Sequence, residues 1–556
     1  MTDRISILTA QLNPVVGDVK GNLAKARAAL SQARIRNADL IVFPEMFLLG
    51  YPPEDLVLKP AAVEACRTAL DQLIEDSKSG PAILMGLPWR QGAKLHNAVA
   101  LVEDGHLVAL RFKHELPNYA VFDEKRVFQP GPVPEIVKWR GIRLGLPICE
   151  DLWYDTVPKA LIEQGAEMMI SINGSPWRRT IERERKTAFS TWFDSWEGRK
   201  ALVFINQVGG QDELVFDGAS FSWTGEGEGE TVQRLPAFEE ALDLVEWQRT
   251  ETGWTATGGD SAPRVIGLEA DWKAMTLALR DYVDKAGFPG VVLGMSGGID
   301  SAISAAIAAD ALGPDRVWAV MMPSKYTSEE SLEDARACAE RLGVRYDIID
   351  VEPTIEAFGK TLSTAFRGTE PDATEENIQS RARGVILMAL SNKFGPMVLS
   401  TGNKSEMAVG YATLYGDMNG GYNALKDVYK TEVFELAWWR NGQTRSPGLG
   451  PVGEVIPERI ITKPPSAELR EDQKDQDSLP PYDVLDAILY GLIEEERSVR
   501  QLVAEGQDED TVRRIENLLY RAEYKRRQAP PGVKIGPKNF GRDRRYPITN
   551  HFKSGG

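Results

Sequence analysis

One glycine-rich turn constrains this chain more than any other feature, because it lies between an apolar run and a segment of small residues. The apolar run is Val291-Val292-Leu293, and the small residues follow from Ser301. This pattern predicts a strand followed by a helix. Glycines let a backbone approach a ligand, successive N–H groups point into such a turn, and the dipole of the following helix favours negative charge. The sequence therefore predicts an anion site at residues 294–301.

The turn is built from hydroxyls, glycines and one acid. Its residues are Gly294, Met295, Ser296, Gly297, Gly298, Ile299, Asp300 and Ser301. No Gly-Lys-Ser/Thr follows the glycines, so the turn is not a Walker P-loop. The pattern Ser-Gly-Gly-x-Asp-Ser instead resembles the pyrophosphate-binding loop of ATP pyrophosphatases, which split ATP into AMP and pyrophosphate. The alternative is a turn without a ligand, which this concentration of hydroxyls and glycines around an acid makes the less favoured interpretation.

The length and charge of the chain narrow its class. With 556 residues, 42% of them hydrophobic, it is long enough for more than one domain. The net charge of −16 argues against a general binder of nucleic acid or of anionic membranes. Three cysteines cannot build a disulfide framework, and an odd count suits a reducing cytoplasm. Because no apolar run reaches about 18 residues, we expect a cytoplasmic enzyme without nucleic-acid or membrane partners.

A stretch rich in Gly, Thr and Asp, residues 255–263, predicts a domain boundary near residue 264. We therefore expect domains at residues 1–264 and 265–556. In the first domain strands alternate with helices, which predicts an α/β fold in which helices cover sheets. In the second, apolar runs alternate with helices in a way that predicts a doubly wound parallel sheet, with ligands beyond the C-terminal ends of the strands.

Three reactive residues stand at predicted strand ends in the first domain. Glu45 ends Ile-Val-Phe-Pro-Glu, Lys113 lies in Arg-Phe-Lys-His-Glu, and Cys149 lies in Leu-Pro-Ile-Cys-Glu-Asp. Taken alone, such a cysteine is most often a small buried hydrophobe, and such a lysine or glutamate a solvated surface charge. The Cys-Glu-Asp turn after an apolar strand instead predicts a thiol exposed at a helix N-terminus, where the thiolate is favoured.

In their local contexts these three residues resemble the Glu-Lys-Cys triad of the nitrilase superfamily, and specifically its glutamine amidase domains. The resemblance implies an αββα sandwich. It also implies that Cys149 is the nucleophile, Glu45 the general base and Lys113 the cation that stabilises the tetrahedral oxyanion. A thiolate attacks the side-chain amide of glutamine, and a carboxylate carries the proton to the leaving ammonia. The fixed cation and backbone N–H groups near the thiol oppose the developing negative charge.

The longer run at residues 112–126, Phe-Lys-His-Glu-Leu-Pro-Asn-Tyr-Ala-Val-Phe-Asp-Glu-Lys-Arg, resembles the glutaminase domain of glutamine-dependent NAD synthetases. By that resemblance Tyr119 should contact glutamine, and so should Ser175 in Asn-Gly-Ser-Pro-Trp. Ordinary packing of an aromatic ring is the alternative for Tyr119.

After Ser175 the chain departs from that pattern, because Thr180-Ile181 stands where relatives often have Gly-Lys. The remaining glutamine contacts around residues 178–185 therefore stay open. Arg183 and Arg185 are unassigned candidates.

Three further stretches resemble a known domain only when they are taken together. They are residues 376–383, residues 398–406, and residues 415–421 together with 427–431. Each alone is best explained as a helix cap, a turn or a surface loop. With the 294–301 loop they resemble the NAD synthetase domain, from about residue 265 to the C-terminus. The resemblance implies a Rossmann-like ATP pyrophosphatase domain.

That resemblance also implies an ATP-dependent amidation. The nicotinate carboxylate of deamido-NAD attacks the α-phosphate of ATP, which gives an acyl-adenylate and pyrophosphate, and ammonia then displaces AMP to yield NAD. The residues that match ATP contacts, besides the loop, are Thr401, Lys430 and Ser466. Those that match deamido-NAD contacts are Asn377, Glu406 and Lys538. The carboxylates that match Mg²⁺ ligands are Asp300 and Glu406, since hard cations take oxygen donors.

Three features of the second domain need separate interpretation: one departure from the family pattern and two strongly charged segments. Leu414 stands where ammonia-only relatives often carry lysine, so we expect another residue to supply that dinucleotide contact. The charge run at residues 472–477 predicts a solvated loop. The basic tail at residues 533–546 has few aromatics, which favours contact with dinucleotide phosphates or a subunit interface over an RNA-binding arm.

Other interpretations remain open at this stage. One is a different ATP-dependent amidotransferase with the same loop, such as an asparagine- or GMP-synthetase-like enzyme. A second is a nitrilase-type hydrolase whose C-terminal half binds nucleotide as a regulator, and a third is a non-catalytic scaffold. In the favoured interpretation the substrates are ATP, deamido-NAD and glutamine or ammonia. We also expect an internal ammonia tunnel and a homo-oligomer.

Overall fold

The computed structural model describes residues 3–193, 195–198, 200–225, 230–471 and 473–552. The chain divides into two compact units, Met1–Val265 and Ile266–Gly556.

The first unit is mainly strands. They are β1 (Arg4–Gln11), β2 (Leu40–Val42), β3 (Ala82–Gln91), β4 (Lys94–Glu103), β5 (His106–Phe112), β6 (Val137–Trp139), β7 (Ile142–Gly145), β8 (Met168–Asn173), β9 (Lys200–Asn206), β10 (Val208–Gln211), β11 (Leu214–Asp217), β12 (Phe221–Gly225), β13 (Glu230–Arg234), β14 (Ala241–Thr250) and β15 (Gly253–Thr257). The α-helices are α1 (Val19–Ile35), α2 (Pro60–Asp76), α3 (Thr156–Glu163) and α4 (Ile181–Phe193). Short 3₁₀ helices are Glu54–Leu58, Ser77–Ser79, Glu124–Arg126 and Cys149–Leu152.

These strands form two layered sheets and a small hairpin, β10–β11. One sheet has the order β15-β14-β1-β2-β3-β4-β5, and the other has the order β13-β12-β9-β8-β7-β6. Side chains alternate across each strand. In β1, Ile5 and Ile7 therefore join the core between the sheets, whereas Leu8 and Ala10 join the core beneath α1 and α2. A third apolar cluster packs the other sheet against α3 and α4. The predicted αββα sandwich is confirmed.

The second unit holds a parallel sheet and many helices. Its strands are β16 (Val291–Gly294), β17 (Val317–Met321), β18 (Arg345–Ile348), β19 (Met397–Ser400) and β20 (Tyr422–Asn423). Its α-helices are α5 (Gly267–Lys285), α6 (Ile299–Leu312), α7 (Glu329–Leu342), α8 (Glu352–Leu362), α9 (Ala373–Phe394), α10 (Lys404–Val409), α11 (Lys430–Asn441), α12 (Glu458–Thr462), α13 (Tyr482–Ile493), α14 (Val499–Ala504), α15 (Glu509–Arg521) and α16 (Glu523–Arg526). Its 3₁₀ helices are Pro314–Arg316 and Asp475–Asp477.

The strand order β18-β17-β16-β19-β20, with parallel pairing throughout, confirms the predicted doubly wound sheet. The strands that follow β16 are added first on one side of it, as β17 and β18, and then on the other side, as β19 and β20. A crevice at such a switch point is where sheets of this kind bind ligands. The glycine turn leaves the C-terminal end of β16 and enters α6. Within the described ranges, every helix falls short of the length and apolar character that a membrane crossing needs.

Candidate active sites

The first unit brings Glu45 and Lys113 into a buried ion pair. Glu45 follows β2 and Lys113 follows β5, and these strands belong to the same sheet. Lys113 Nζ lies 2.8 Å from Glu45 Oε1, and both side chains are completely buried. Removing two charges from water is costly unless they are paired and hydrogen-bonded, so this pair needs the further partners that surround it.

Three donors hold the Glu45 carboxylate. Besides Lys113, Asn97 Nδ2 donates to Oε1 at 2.6 Å and the backbone N–H of Gly174 donates to Oε2 at 2.7 Å. A side chain at position 174 would bring its Cβ within 2.6 Å of the Tyr51 ring and 3.2 Å of Glu45 Oε2. Glycine is therefore needed at this position to let the backbone reach the carboxylate.

A second carboxylate, that of Glu124, also binds Lys113. Lys113 Nζ and Tyr51 Oη each donate to Glu124 Oε1 at 2.8 Å. Burial raises the pKa of Glu124 to about 7, and Lys113 opposes that shift. Burial by itself would lower the pKa of Lys113, but Glu124, Glu45 and Cys149 together raise it well above its usual value. Glu124 was not predicted as a site residue, because the sequence marks it only as one of the acids within the run 112–126.

Cys149 is buried, with 4% of its surface exposed, and it begins the 3₁₀ helix Cys149–Leu152 with φ at +46°. The prediction of an exposed thiol with a favoured thiolate is wrong. Burial raises the pKa of Cys149 well above its usual value, and the Glu45 carboxylate adds to that effect while Lys113 opposes it. One turn of helix has too small a dipole to offset this desolvation. The resting group is therefore a neutral thiol.

The two predicted glutamine contacts differ in exposure. Tyr119 is 47% exposed, and its hydroxyl donates to Glu150 Oε1 at 2.9 Å. Ser175 is buried, and its Oγ accepts from Arg185 Nη2 at 3.1 Å. Arg185 is itself buried beside Asp217, with a shortest separation of 3.3 Å. Of the two arginines left open by the sequence, Arg185 therefore supports the Ser175 turn, and Arg183 lies on the surface.

In the second unit, the loop after β16 is shaped by Gly297. Its φ is +78°, and a Cβ at this position would lie 2.4 Å from the carbonyl oxygen of Ser331. Ser296 and Ser301 close the loop with an Oγ–Oγ distance of 3.2 Å, and Ser301 Oγ also donates to Gly298 O at 2.9 Å. Helix α6 begins at Ile299, so the last three residues of the predicted loop form the first helical turn.

Lys430 lies between two of the predicted site carboxylates. Its Nζ forms an ion pair with Asp300 and lies 3.3 Å from Glu406 Oε1. Asn403 Nδ2 donates to Asp300 Oδ1 at 2.9 Å, and Asn403 also caps α10, the helix that carries Glu406. Burial and the Asp300 charge raise the pKa of Glu406 to about 8, although Lys430 opposes this. Thr401 is half-buried directly after β19.

The other predicted contacts bind different segments. Asn377 Oδ1 accepts from Thr413 Oγ1 at 2.9 Å. Lys538 Nζ pairs with Glu496 at 2.7 Å, and the Lys538 carbonyl accepts from Lys404.

Ser466 is exposed, and its Oγ donates to Gln473 O at 2.5 Å. The segment that carries it nevertheless lies beside the glycine loop. Glu468 in this segment accepts from Ser331 Oγ at 2.8 Å, and the Ser331 carbonyl faces Gly297.

The charge run at 472–477 is not a fully solvated loop. Asp475 is 5% exposed and accepts from Tyr482 Oη at 2.8 Å, and its charge contributes to the raised pKa of Glu406. A charge pattern cannot indicate that one acid of the run turns inward toward a tyrosine. Asp472 lies outside the described residues. In the basic tail, Lys534 and Arg544 pair with the acids Asp543 and Glu523.

Comparison with known families agrees with this architecture. The carbon-nitrogen hydrolase family matches residues 8–255, and the NAD synthase family matches residues 271–529. The fold and these matches define a class of enzyme in which a carbon-nitrogen hydrolase domain is joined to an NAD synthase domain.

Full-length relatives narrow the class. The chain is 50% identical to the glutamine-dependent NAD(+) synthetase of Rhodobacter capsulatus over 554 residues, which cover 100% of each chain. It is 45% identical to that of Acinetobacter baylyi over 547 residues, or 98% of each chain. A solved glutamine-dependent NAD+ synthetase from Acinetobacter baumannii, in complex with ADP, superposes with a TM-score of 0.77 at 42% identity over 100% of both chains. The chain belongs to the glutamine-dependent NAD(+) synthetases, and the family predicted from the sequence is confirmed.

Proposed function

We propose that this enzyme converts deamido-NAD to NAD with ATP, taking the nitrogen from glutamine. Residues 1–264 release ammonia from glutamine, and residues 265–556 activate and amidate deamido-NAD. The observation that carries the proposal is a buried lysine between two carboxylates in each unit. Lys113 and its partner Glu45 lie close enough to the buried Cys149 to influence the pKa of its thiol, and Lys430 pairs with Asp300 of the pyrophosphate-type loop.

In the first unit, Glu45 acts as the base that removes the proton of Cys149. The raised pKa of that thiol makes such a base necessary. The thiolate attacks the side-chain amide of glutamine, and Glu45 passes the proton to the departing ammonia. Lys113 opposes the negative charge of the tetrahedral intermediate, and water then releases glutamate. Tyr119 and Ser175 hold the rest of the glutamine.

In the second unit, the loop at 294–301 receives the pyrophosphate of ATP as deamido-NAD is adenylated. Backbone N–H groups and the N-terminus of α6 favour that charge. Thr401, Lys430 and Ser466 bind ATP. Asn377, Glu406 and Lys538 bind deamido-NAD, and another residue supplies the contact that Leu414 cannot make.

The carboxylates of Asp300 and Glu406 fit a Mg²⁺ ion that also binds phosphate. Among the described residues, no group of three or more His, Cys, Asp or Glu side chains is arranged to hold a metal by itself. Two carboxylates with phosphate oxygens and water are the usual ligands of Mg²⁺. A bound Mg²⁺ would neutralise charge on the phosphates. Before the substrates bind, Lys430 holds the two carboxylates in place.

We further propose that the enzyme is cytoplasmic and homo-oligomeric. Its three cysteines are unpaired and buried, which suits a reducing compartment.

One experiment tests the division of labour between the units. NAD formation is followed with ATP, Mg²⁺ and deamido-NAD, with either glutamine or ammonium as the nitrogen source. Cys149→Ala should abolish glutamine-driven synthesis and leave ammonium-driven synthesis unchanged, whereas Asp300→Ala should lose both. Cys66→Ala removes a buried thiol of α2 and is the matched control, with both activities kept.

Loss of both activities in a folded Cys149→Ala enzyme would contradict this assignment. If the unmodified enzyme hydrolysed glutamine but formed no NAD, a hydrolase regulated by nucleotide would be the better description.

A further inference from the structure

Asp151 lies two residues after the nucleophile and is almost completely buried, with 1% of its surface exposed. Its carboxylate accepts three backbone N–H groups. Oδ1 accepts from His114 at 3.0 Å and from Glu115 at 2.8 Å, and Oδ2 accepts from Ile148 at 2.9 Å. Hydrogen bonds to a charged acceptor are the stronger ones, so this single side chain is an effective clamp on backbone.

The three amides that Asp151 binds belong to residues next to Lys113 and Cys149. His114 and Glu115 directly follow Lys113, and Ile148 directly precedes Cys149. The two segments come from different sheets, since β5 and β7 do not share one. One carboxylate therefore ties the backbone of the lysine segment to the backbone of the nucleophile turn.

The nucleophile turn needs such support. Cys149 has φ at +46°, in the left-handed region that a non-glycine residue adopts only when its surroundings impose it. Asp151 lies on the same single turn of 3₁₀ helix and returns to the N–H of Ile148. Burial raises the pKa of Asp151 to about 6, and the backbone N–H groups oppose that shift, so the carboxylate is ionised at neutral pH.

We propose that Asp151 is a positioning residue that fixes the Cys149 thiol relative to the Lys113 ammonium. The inference rests on the glutaminase role proposed for the first unit. Asp151 is not a catalytic residue, because its oxygens are engaged by backbone N–H groups rather than by the reacting atoms. An asparagine offers one acceptor oxygen and turns an N–H₂ group toward an N–H donor, so it breaks one side of the clamp.

The test compares Asp151→Asn with the unmodified enzyme in three measurements. For glutamine hydrolysis, kcat should fall about 10²-fold, since a small misplacement of reacting groups has an effect of that size. The KM for glutamine should stay within about twofold, because the Asp151 carboxylate accepts from the backbone of His114, Glu115 and Ile148 rather than from the proposed glutamine-binding residues. The pH profile of Cys149 alkylation by iodoacetamide, followed by peptide mapping, should shift to higher pH. Lys113 is one of the groups that lower the pKa of this thiol.

Controls separate positioning from folding. Ammonium-driven synthesis should be unchanged in Asp151→Asn. Asp243→Asn is the matched control. Asp243 likewise accepts a backbone N–H, from Asp260 at 2.9 Å, but it lies in β14 rather than beside Cys149, so this variant should change none of the three measurements. If Asp151→Asn does not fold, Asp151→Glu keeps the charge and displaces the carboxylate by one methylene, and the same pattern is expected.

An unchanged kcat in a folded variant would overturn the proposal. So would a fall in kcat without a shift in the alkylation profile, because that would leave only a structural role. If the unmodified enzyme failed to use glutamine, the proposed function would fail instead, and the two failures are therefore distinct.

Discussion

The two units contain the same arrangement of charges, but the carboxylates of that arrangement differ in their exposure to solvent. Lys113 and Lys430 are each buried between two carboxylates. Around Lys113, the side chains of Glu45 and Glu124 are 0% and 6% exposed. Around Lys430, the side chains of Asp300 and Glu406 are 19% and 18% exposed. The first cluster is sealed and the second is open along one edge.

This difference fits the ligands proposed for each site. In the sealed cluster the chain itself supplies every charged partner of Lys113, and the side-chain amide of glutamine, the group proposed to react there, is neutral. The open cluster leaves carboxylate oxygens accessible to a metal ion and to substrate phosphates, which bring large charges of their own. A sealed site is expected to be rigid before substrate arrives, whereas an open site is completed by its ligands.

Replacing each lysine by methionine gives the largest expected effect. Lys113→Met should reduce glutamine-driven synthesis by about 10³-fold or more, because the oxyanion loses its cation. Ammonium-driven synthesis should be retained in this variant. Lys430→Met should reduce synthesis from both nitrogen donors. Rates of NAD formation with glutamine and with ammonium decide between these outcomes.

The same pair of variants tests the difference in burial. Lys113→Met leaves two buried carboxylates unpaired, which should cost about 3–5 kcal/mol of stability, whereas water reaches the carboxylates around Lys430 and the cost there should be smaller. Equal losses of melting temperature in the two variants would show that the contrast between sealed and open sites is wrong.

Variants of two glycines test the comparison further. Each glycine lets the backbone lie close to a neighbouring residue in one of the two sites, Gly174 beside Tyr51 and Gly297 beside Ser331. Gly174→Ala should reduce glutamine-driven synthesis alone, because its Cβ would collide with Tyr51. Gly297→Ala should reduce synthesis from both donors, because its Cβ would collide with the Ser331 backbone at a positive φ. We expect about 10²-fold in each case. Gly359→Ala in α8 is the matched control, since its Cβ would meet nothing within 4 Å, and a comparable loss there would contradict the steric argument.

The sealed site should also make the stability of the first unit depend on pH. Burial raises the pKa of Glu124 from 4.5 to about 7. The folded chain therefore keeps a proton between these pH values that the unfolded chain has lost, and stability should fall as pH rises through this window, by on the order of 3 kcal/mol. Melting temperatures of Glu124→Gln measured from pH 4.5 to 7.5 should decline less steeply than those of the unmodified enzyme, whereas the exposed Glu246→Gln should keep the full decline. Some decline should persist in Glu124→Gln, because the pKa values of Asp151 and Glu406 are also raised.

The fold and part of the sites could be predicted because their signals are local. The glycine loop and the contexts of Glu45, Lys113 and Cys149 each lie within about ten residues of sequence. The apolar run at residues 5–12 likewise predicts a strand, which is β1.

The remaining features depend on contacts between distant segments, which local patterns do not contain. Gly174 lies 129 residues from the carboxylate that it binds. The burial of Cys149, the role of Glu124 and the inward turn of Asp475 all follow from which charged groups converge in the folded chain. For the same reason a cysteine at a helix N-terminus suggested a thiolate, although desolvation by the surrounding protein has the larger effect.

The smallest effect is expected at the rim of the sealed site, where Tyr119 is half-exposed. Its hydroxyl donates to Glu150 at 2.9 Å, and water can replace that bond in Tyr119→Phe. The KM for glutamine should therefore rise by no more than about tenfold, which corresponds to one ordinary hydrogen bond, while kcat changes little. Tyr154 is similarly exposed at 48%, and Tyr154→Phe is the matched control with an unchanged KM. A loss of kcat in Tyr119→Phe as large as that in Lys113→Met would mean that the sealed cluster extends to the surface. In that case the exposure of a side chain would not distinguish residues that bind glutamine from residues that catalyse its hydrolysis in this unit.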